Sequence, residues 1–353
     1  MNGAKAVKSS RAPIDLTIEL TRSCPLNCVI CSSEGGVPYD NELTIGQFER
    51  IIKDAKRLGT RNICFSGGEP LEHSGIVQLC KYSKLAGLNV QIYTSGNIRT
   101  KENMLGPLDV ELLSRVKPYA DKIIVGLHGP TPKIHESITR VPRSFENAIA
   151  SIETVNREAI PVEVHFVPIK QNYKSLPGMI ELSKTLKISK ISILRFVPQG
   201  RGKTYSNLLS LEKPDVLSLK SILTSLLESK DPHVRIGSPF KVLGLSQARC
   251  TAGENRATVR ADGCVFPCEA LKHVQCISND LHLLSLRQIW QDSEIFKDAR
   301  TFASSARNRK CAKCNKFDEC SGGCFAQSLL FGTNAWECSD PYCFEEEVAS
   351  IDV

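Results

Sequence analysis

Apolar and polar residues alternate at Ile14, Leu16, Ile18 and Leu20, a period of two that predicts a strand with one buried face. A polar, cysteine-bearing stretch follows. Then Ile45, Phe48, Ile51, Ile52, Ala55 and Leu58 recur at helical spacing, with Thr44 placed to cap the helix and Gly59 to end it. The alternation of periods continues with a strand at Asn62–Ser66, a helix at 75–86 and a strand at Asn89–Thr94. Strand Lys122–Leu127 leads to helix 144–157, strand Val162–Pro168 to helix 175–187, and strand Lys190–Val197 closes the series. Six strand–helix units imply parallel strands joined by right-handed crossovers. The fold class is α/β, a partial (β/α)6 TIM-like barrel. In such barrels the chemistry sits at the C-terminal ends of the strands.

The pattern then changes. Residues 198–213, with Gln199-Gly-Arg-Gly-Lys203, read as an exposed polar connection, and helix 214–228 follows it. Asp231-Pro232 through Pro239 reads as a domain boundary, and Val259–Phe266 around Asp262-Gly263 as a hairpin. The chain divides into a basic tail at 1–13, a barrel at 14–235 and a small cysteine-rich domain at 245–353.

Composition narrows the class. No apolar run among the 353 residues approaches a membrane span, and no apolar stretch follows the basic N-terminus, so a secretory signal is not indicated. A cytoplasmic protein is expected. Fifteen cysteines are too many for core packing, and cytosolic thiols are kept reduced, so metal ligation explains them better than disulfides. Ligating cysteines are deprotonated. One three-cysteine and two four-cysteine [4Fe–4S] clusters would take the formal charge of +7 down to about +2. A nucleic-acid partner is accordingly not expected.

The most specific signal is Cys24-Pro-Leu-Asn-Cys28-Val-Ile-Cys31, directly after the first strand. Three thiolates on one short loop can hold three corners of an iron–sulfur cube and leave the fourth iron open to a substrate. Gly67-Gly68-Glu69-Pro70 and Ser95-Gly96-Asn97 end the next two strands. Ten further cysteines fall in the C-terminal part: Cys250, Cys264, Cys268, Cys276, Cys311, Cys314, Cys320, Cys324, Cys338 and Cys343. Their density requires a metal, and on charge grounds two zinc ions or two iron–sulfur clusters satisfy it equally.

With these residues the chain resembles the radical S-adenosylmethionine (radical SAM) enzymes that carry a SPASM-type C-terminal extension, over nearly its whole length. The resemblance implies that Cys24, Cys28 and Cys31 hold a [4Fe–4S] cluster whose open iron binds the amino and carboxylate groups of SAM. An electron from the cluster then splits the sulfonium to methionine and a 5′-deoxyadenosyl radical that abstracts a substrate hydrogen. It places Gly67, Gly68, Glu69 and Pro70 at the SAM amino group, Ser95 and Asn97 near the ribose, and Arg195 within reach of a carboxylate or at the barrel rim. It implies two auxiliary [4Fe–4S] clusters. One uses Cys250, Cys268 and Cys324 with Cys264 as the expected fourth ligand; the other uses Cys311, Cys314, Cys320 and a late cysteine, Cys343 in preference to Cys338. Cys64 and Cys80 read as structural, and Cys276 stays unassigned. Glu269 stands where sulfatase-maturing relatives have a catalytic aspartate and could take a proton during substrate oxidation.

The chain departs from the family at two points. Ile30 replaces an aromatic before the third cysteine, and Gly126-Leu127-His128-Gly129 replaces Ser-Leu-Asp-Gly, with His128 reading as a rim histidine. By resemblance the reaction is modification of a peptide or protein, by crosslinking or side-chain oxidation. A flavodoxin- or ferredoxin-type electron donor is implied, and since the first strand begins about a dozen residues in, any leader peptide is expected to be read by a separate small protein or by the barrel itself. The alternatives are sulfatase maturation, a haem-pathway or small-molecule enzyme, suggested by Pro198-Gln-Gly-Arg-Gly202, and a non-catalytic zinc or iron–sulfur protein.

Overall fold

A computed structural model describes residues 13–100, 102–246, 250–302, 311, 314–332 and 339–344. Residues 1–12 of the basic tail and Cys338 lie outside them. The six expected strands form in order and run parallel: β1 (Asp15–Thr21), β2 (Asn62–Gly67), β3 (Asn89–Thr94), β4 (Lys122–Gly126), β5 (Val162–Phe166) and β6 (Lys190–Ile193). Between them lie α1 (Ile45–Leu58), α2 (Ile76–Leu85), α3 (Val110–Val116), α4 (Pro132–Thr139), α5 (Ser144–Arg157) and α6 (Leu176–Thr185), and α7 (Lys213–Glu228) follows β6. Thr44 and Gln47 cap α1 reciprocally, and Gly59 ends it at φ 111°.

The sheet extends past the expected six strands at both edges. β7 (Val234–Ile236) pairs parallel with β6, inside the stretch read as a boundary. There the Asp231 carboxylate accepts the His233 amide at 2.9 Å and turns the chain into the strand. β8 (Arg256–Val259) pairs parallel with β1, and β9 (Val265–Phe266) pairs antiparallel with β8. The strand order is β9-β8-β1-β2-β3-β4-β5-β6-β7. The cysteine-rich part therefore shares one hydrogen-bonded sheet with the barrel. An exposed β1 edge would leave a row of unpaired amides, and the hairpin covers it.

The two faces of the sheet differ sharply. Leu16, Ile18, Ile63, Phe65, Val90 and Ile92 point outward and are sealed beneath the helices. The inner face is polar: Thr17, Cys64, Gln91 and Lys122 stand in register across four strands. Further round, Glu163 accepts from Lys122 at 2.8 Å and from Ser192 at 2.5 Å, and Arg235 donates to Ser192 at 2.8 Å. Thr17, Cys64, Gln91 and Lys122 are only half-buried, so this face borders open space, here called the chamber. Cys64, expected to be structural in a buried strand, stands on its wall, whereas Cys80 is core as expected.

Candidate active site

Cys24, Cys28 and Cys31 lie on the loop leaving β1, held from several sides. Asn27 and Val29 donate to the Thr139 and Ile138 carbonyls at the end of α4, and Cys24 donates to Gly36 O at 3.2 Å. The Gly35 amide donates to Cys31 Sγ at 3.3 Å. Burial, then the neighbouring Cys31 charge, push the Cys28 thiol up to about 12 against the pull of Arg201. Burial, then Glu69 and Cys28, raise Cys24 further. Cys24 and Cys28, so buried and so close to other potential negative charges, become thiolates only when a cation joins them. With Cys31 they fit an iron–sulfur cluster.

The expected connection at 198–213 is not free of this loop. Arg201 donates to Cys28 O at 3.0 Å and Gly35 O at 2.6 Å, while Gly200 sits at φ 57° with Cys31 O where a Cβ would be. Sequence reading missed Arg201. Its signal was an arginine between two glycines just beyond the last barrel strand.

Gly67 and Gly68 have a structural reason. A Cβ on either would be driven into the Thr21 or Ser23 carbonyl, because Gly68 and Glu69 donate to those carbonyls at 2.7 Å each. The glycine turn is thereby clamped to the root of the cysteine loop. Glu69 is buried without a salt bridge among the described residues. Its carboxylate accepts from Thr94 Oγ1 at 2.7 Å, Leu71 N at 3.2 Å, and Ser95 N and Oγ at 2.9 and 2.7 Å. Burial pushes it up to about 7, and the Ser95, Thr94 and Leu71 bonds pull it back. Ser95 is thus committed to Glu69. Asn97 is 0 % exposed, and its Nδ2 donates to Ser95 O and Ser144 O at 3.0 Å each. Its Oδ1 is buried without a partner. A lone buried acceptor beside these turns suits a ligand hydroxyl or ammonium.

Arg195 is placed otherwise than by the expected SAM contact. It donates to both carboxylate oxygens of Asp340 at 2.8 and 2.7 Å and lies 3.7 Å from the Tyr342 ring centroid, with both charged side chains 1 % exposed. The C-terminal segment takes both terminal nitrogens of the guanidinium, while its buried Nε has no partner among the described residues. His128, expected as a hydrogen-bonded rim histidine, is instead buried and stacked on His135 at 5.5 Å, with its Nδ1 unpartnered among the described residues.

Glu269 follows Cys268 and turns into the chamber, where Thr17 Oγ1 donates to it at 2.6 Å. Burial works against its charge, but Arg256, Thr17 and Lys272 outweigh that and hold it below the ordinary carboxylate range. The segment spans the open side of the barrel: Gln199 donates to Glu269 O at 2.5 Å, Lys272 to Glu19 and to Ser33 Oγ, and His273 to Ser32 O at 2.7 Å.

Cys250, Cys268 and Cys324 form no disulfide and gather around Phe266, Leu271, Phe302 and Phe325; burial, then Cys250, Glu269 and Cys324, raise the Cys268 thiol. Cys250, Cys320 and Cys324 also line one cavity with Ser321 and Gly323. Cys264 is corrected: it is disulfide-bonded to Cys276, with Cα atoms 6.0 Å apart, and a sulfur so bonded has no thiolate to offer. Cys314 donates to Cys311 O at 3.2 Å, and Cys343 to Asp340 O at 2.8 Å.

A model of the radical SAM superfamily matches residues 18–182, and one of an iron–sulfur cluster-binding domain, SPASM, matches residues 250–315. The chain carries a radical SAM domain followed by a SPASM domain. Its cofactors are [4Fe–4S] clusters and SAM. Among curated relatives, this radical SAM enzyme is 25% identical to the AdoMet-dependent heme synthase of Methanosarcina barkeri over 96% of this chain and 98% of that one. It is 28% identical to the mycofactocin maturase MftC of Mycolicibacterium smegmatis, over 95% and 83%. In fold it resembles Streptococcus suis SuiB bound to precursor peptide SuiA, with TM-score 0.75 and 19% identity over 95% of this chain and 76% of that one. It also resembles anSMEcpe with bound AdoMet, with TM-score 0.73 and 16% identity over 95% of each. No described helix is long and apolar enough to cross a membrane.

Proposed function

We propose that this radical SAM enzyme modifies a peptide or protein held in the chamber, forming a crosslink or oxidising a side chain, with Glu269 taking up the proton released. The place of Glu269 carries the reading: an ionised carboxylate, oriented by Thr17, enters the chamber beside Cys268. Cys24, Cys28 and Cys31 hold the cluster that binds SAM, with Gly67, Gly68, Glu69, Pro70, Ser95 and Asn97 shaping the cofactor's seat. Cys250, Cys268 and Cys324 hold one auxiliary cluster; Cys311, Cys314, Cys320 and Cys343 hold the other. When bound, these groups supply one-electron cleavage of SAM and an outlet for the electron left on the substrate. A flavodoxin- or ferredoxin-type donor belongs to this reading, with any leader read by a separate small protein or by the barrel itself. A tetrapyrrole substrate is the second reading, favoured by the end-to-end match to the haem synthase.

Anaerobic reconstitution tests both. About twelve irons per chain are expected from three clusters, with 5′-deoxyadenosine released on adding SAM and dithionite. Incubation with the peptide product of a neighbouring gene should lower its mass by two hydrogens. Turnover of an iron coproporphyrin with no change in any peptide would transfer the assignment to the second reading.

A further inference from the structure

The chamber holds a cation without a partner. Arg256 opens β8 in register with Asp15, and Thr258 pairs with Thr17 two positions on, so Arg256 shares the inner face with Thr17 and Glu269. Its side chain is exposed although the other β8 residues are buried. Nearby cations are committed: Lys122 and Arg235 to Glu163 at 2.8 and 3.3 Å, and Lys272 to Glu19. Among the described residues, no hydrogen bond or ion pair reaches the Arg256 guanidinium. Glu269, the charge that acts on it most strongly, directs its carboxylate to Thr17 instead. A second polar group on this strand face is also unsatisfied, since the Thr258 hydroxyl is buried and unpartnered.

We propose that Arg256 anchors a carboxylate of the substrate inside the chamber. The proposal rests on the reading that the chamber is the substrate site. A guanidinium fork matches a carboxylate with two parallel N–H···O bonds. A single negative charge fits better than a phosphate, because Lys122 and Arg235 are already spent on Glu163, which leaves Arg256 alone among these cations to face the ligand. The carboxylate belongs to an acidic side chain or to a peptide C-terminus, and the two sources are separable.

The test uses reconstituted holoenzyme and saturation-transfer NMR. The side-chain probe is N-acetylglutamate α-amide with its glutamine counterpart; the C-terminal probe is N-acetyl-Ala-Ala acid with its amide. Loss of a bidentate charged pair corresponds to about a tenfold change in binding. At least one acid should therefore bind about tenfold better than its amide, and R256Q should erase the difference. R256K, which keeps the charge without the fork, should retain part of it. Equal binding of acid and amide, or unchanged binding in R256Q, would overturn the proposal. So would loss of iron in both variants, which would reassign Arg256 to neutralising the Cys250 and Cys268 thiolates. If the acids bind through Arg256 and no peptide is modified, the peptide reading falls alone. If a peptide is modified and R256Q leaves its KM unchanged, the anchor falls alone.

Discussion

Arg195 and Asp340 join the barrel to the cysteine-rich part through a buried, two-pronged ion pair at 2.8 and 2.7 Å. The same carboxylate accepts the Cys324 amide at 2.9 Å, so a barrel residue fixes the backbone of a candidate cluster ligand. Removing one partner of such a pair strands a charge in the interior at about 3–5 kcal/mol. Arg195→Ala should lower unfolding stability by that order and reduce iron bound by Cys250, Cys268 and Cys324. A variant with wild-type unfolding and full iron content would show that Asp340 holds Cys324 without help.

Gly68 and Gly46 should respond oppositely to alanine. At Gly68 the new methyl meets the Ser23 and Arg22 carbonyls, which are backbone and cannot swing aside, so Gly68→Ala should lose the N-terminal cluster and SAM binding. Gly46 lies in α1 with nothing within 4 Å of a Cβ, and Gly46→Ala should stabilise by about 0.5–1 kcal/mol. Iron stoichiometry and chemical unfolding of the two variants read both outcomes.

Acid should act through the stacked imidazoles. Burial lowers His128 to about 4, and burial with the His128 charge lowers His135 to about 3, both from an ordinary 6.5. The folded values lie below the unfolded ones, so this contribution to stability is complete above about pH 6.5 and is lost as pH falls towards 4. For His128 the loss is on the order of 3 kcal/mol. His135→Phe keeps the ring between His128 and Phe145 and should flatten the acid limb of stability against pH. Parallel limbs in variant and wild type would remove His135 from the account.

The disulfide separates two cysteine roles. Alkylation of the unfolded chain before reduction should leave Cys264 and Cys276 unlabelled, and Cys264→Ser should keep the full iron content. Cys268→Ser should lose about four irons, one cluster's worth. Equal iron loss in both variants would restore Cys264 as a ligand.

The sequence by itself determined the six parallel strands, the helix between Thr44 and Gly59, and the cysteine loop at the end of β1. These are local signals, because hydrophobic period, capping residues and ligand spacing are written within a few turns of chain. Only the tertiary structure decided that Arg195 meets Asp340, that Arg201 clamps the cysteine loop, and that the Arg256 hairpin completes the barrel's sheet. It likewise turned Cys64 into the chamber and paired Cys264 with Cys276. Each of these joins residues that spacing cannot connect. Partner choice there follows from which buried charges, amides and sheet edges would otherwise stay unsatisfied, and that is a property of the closed chain.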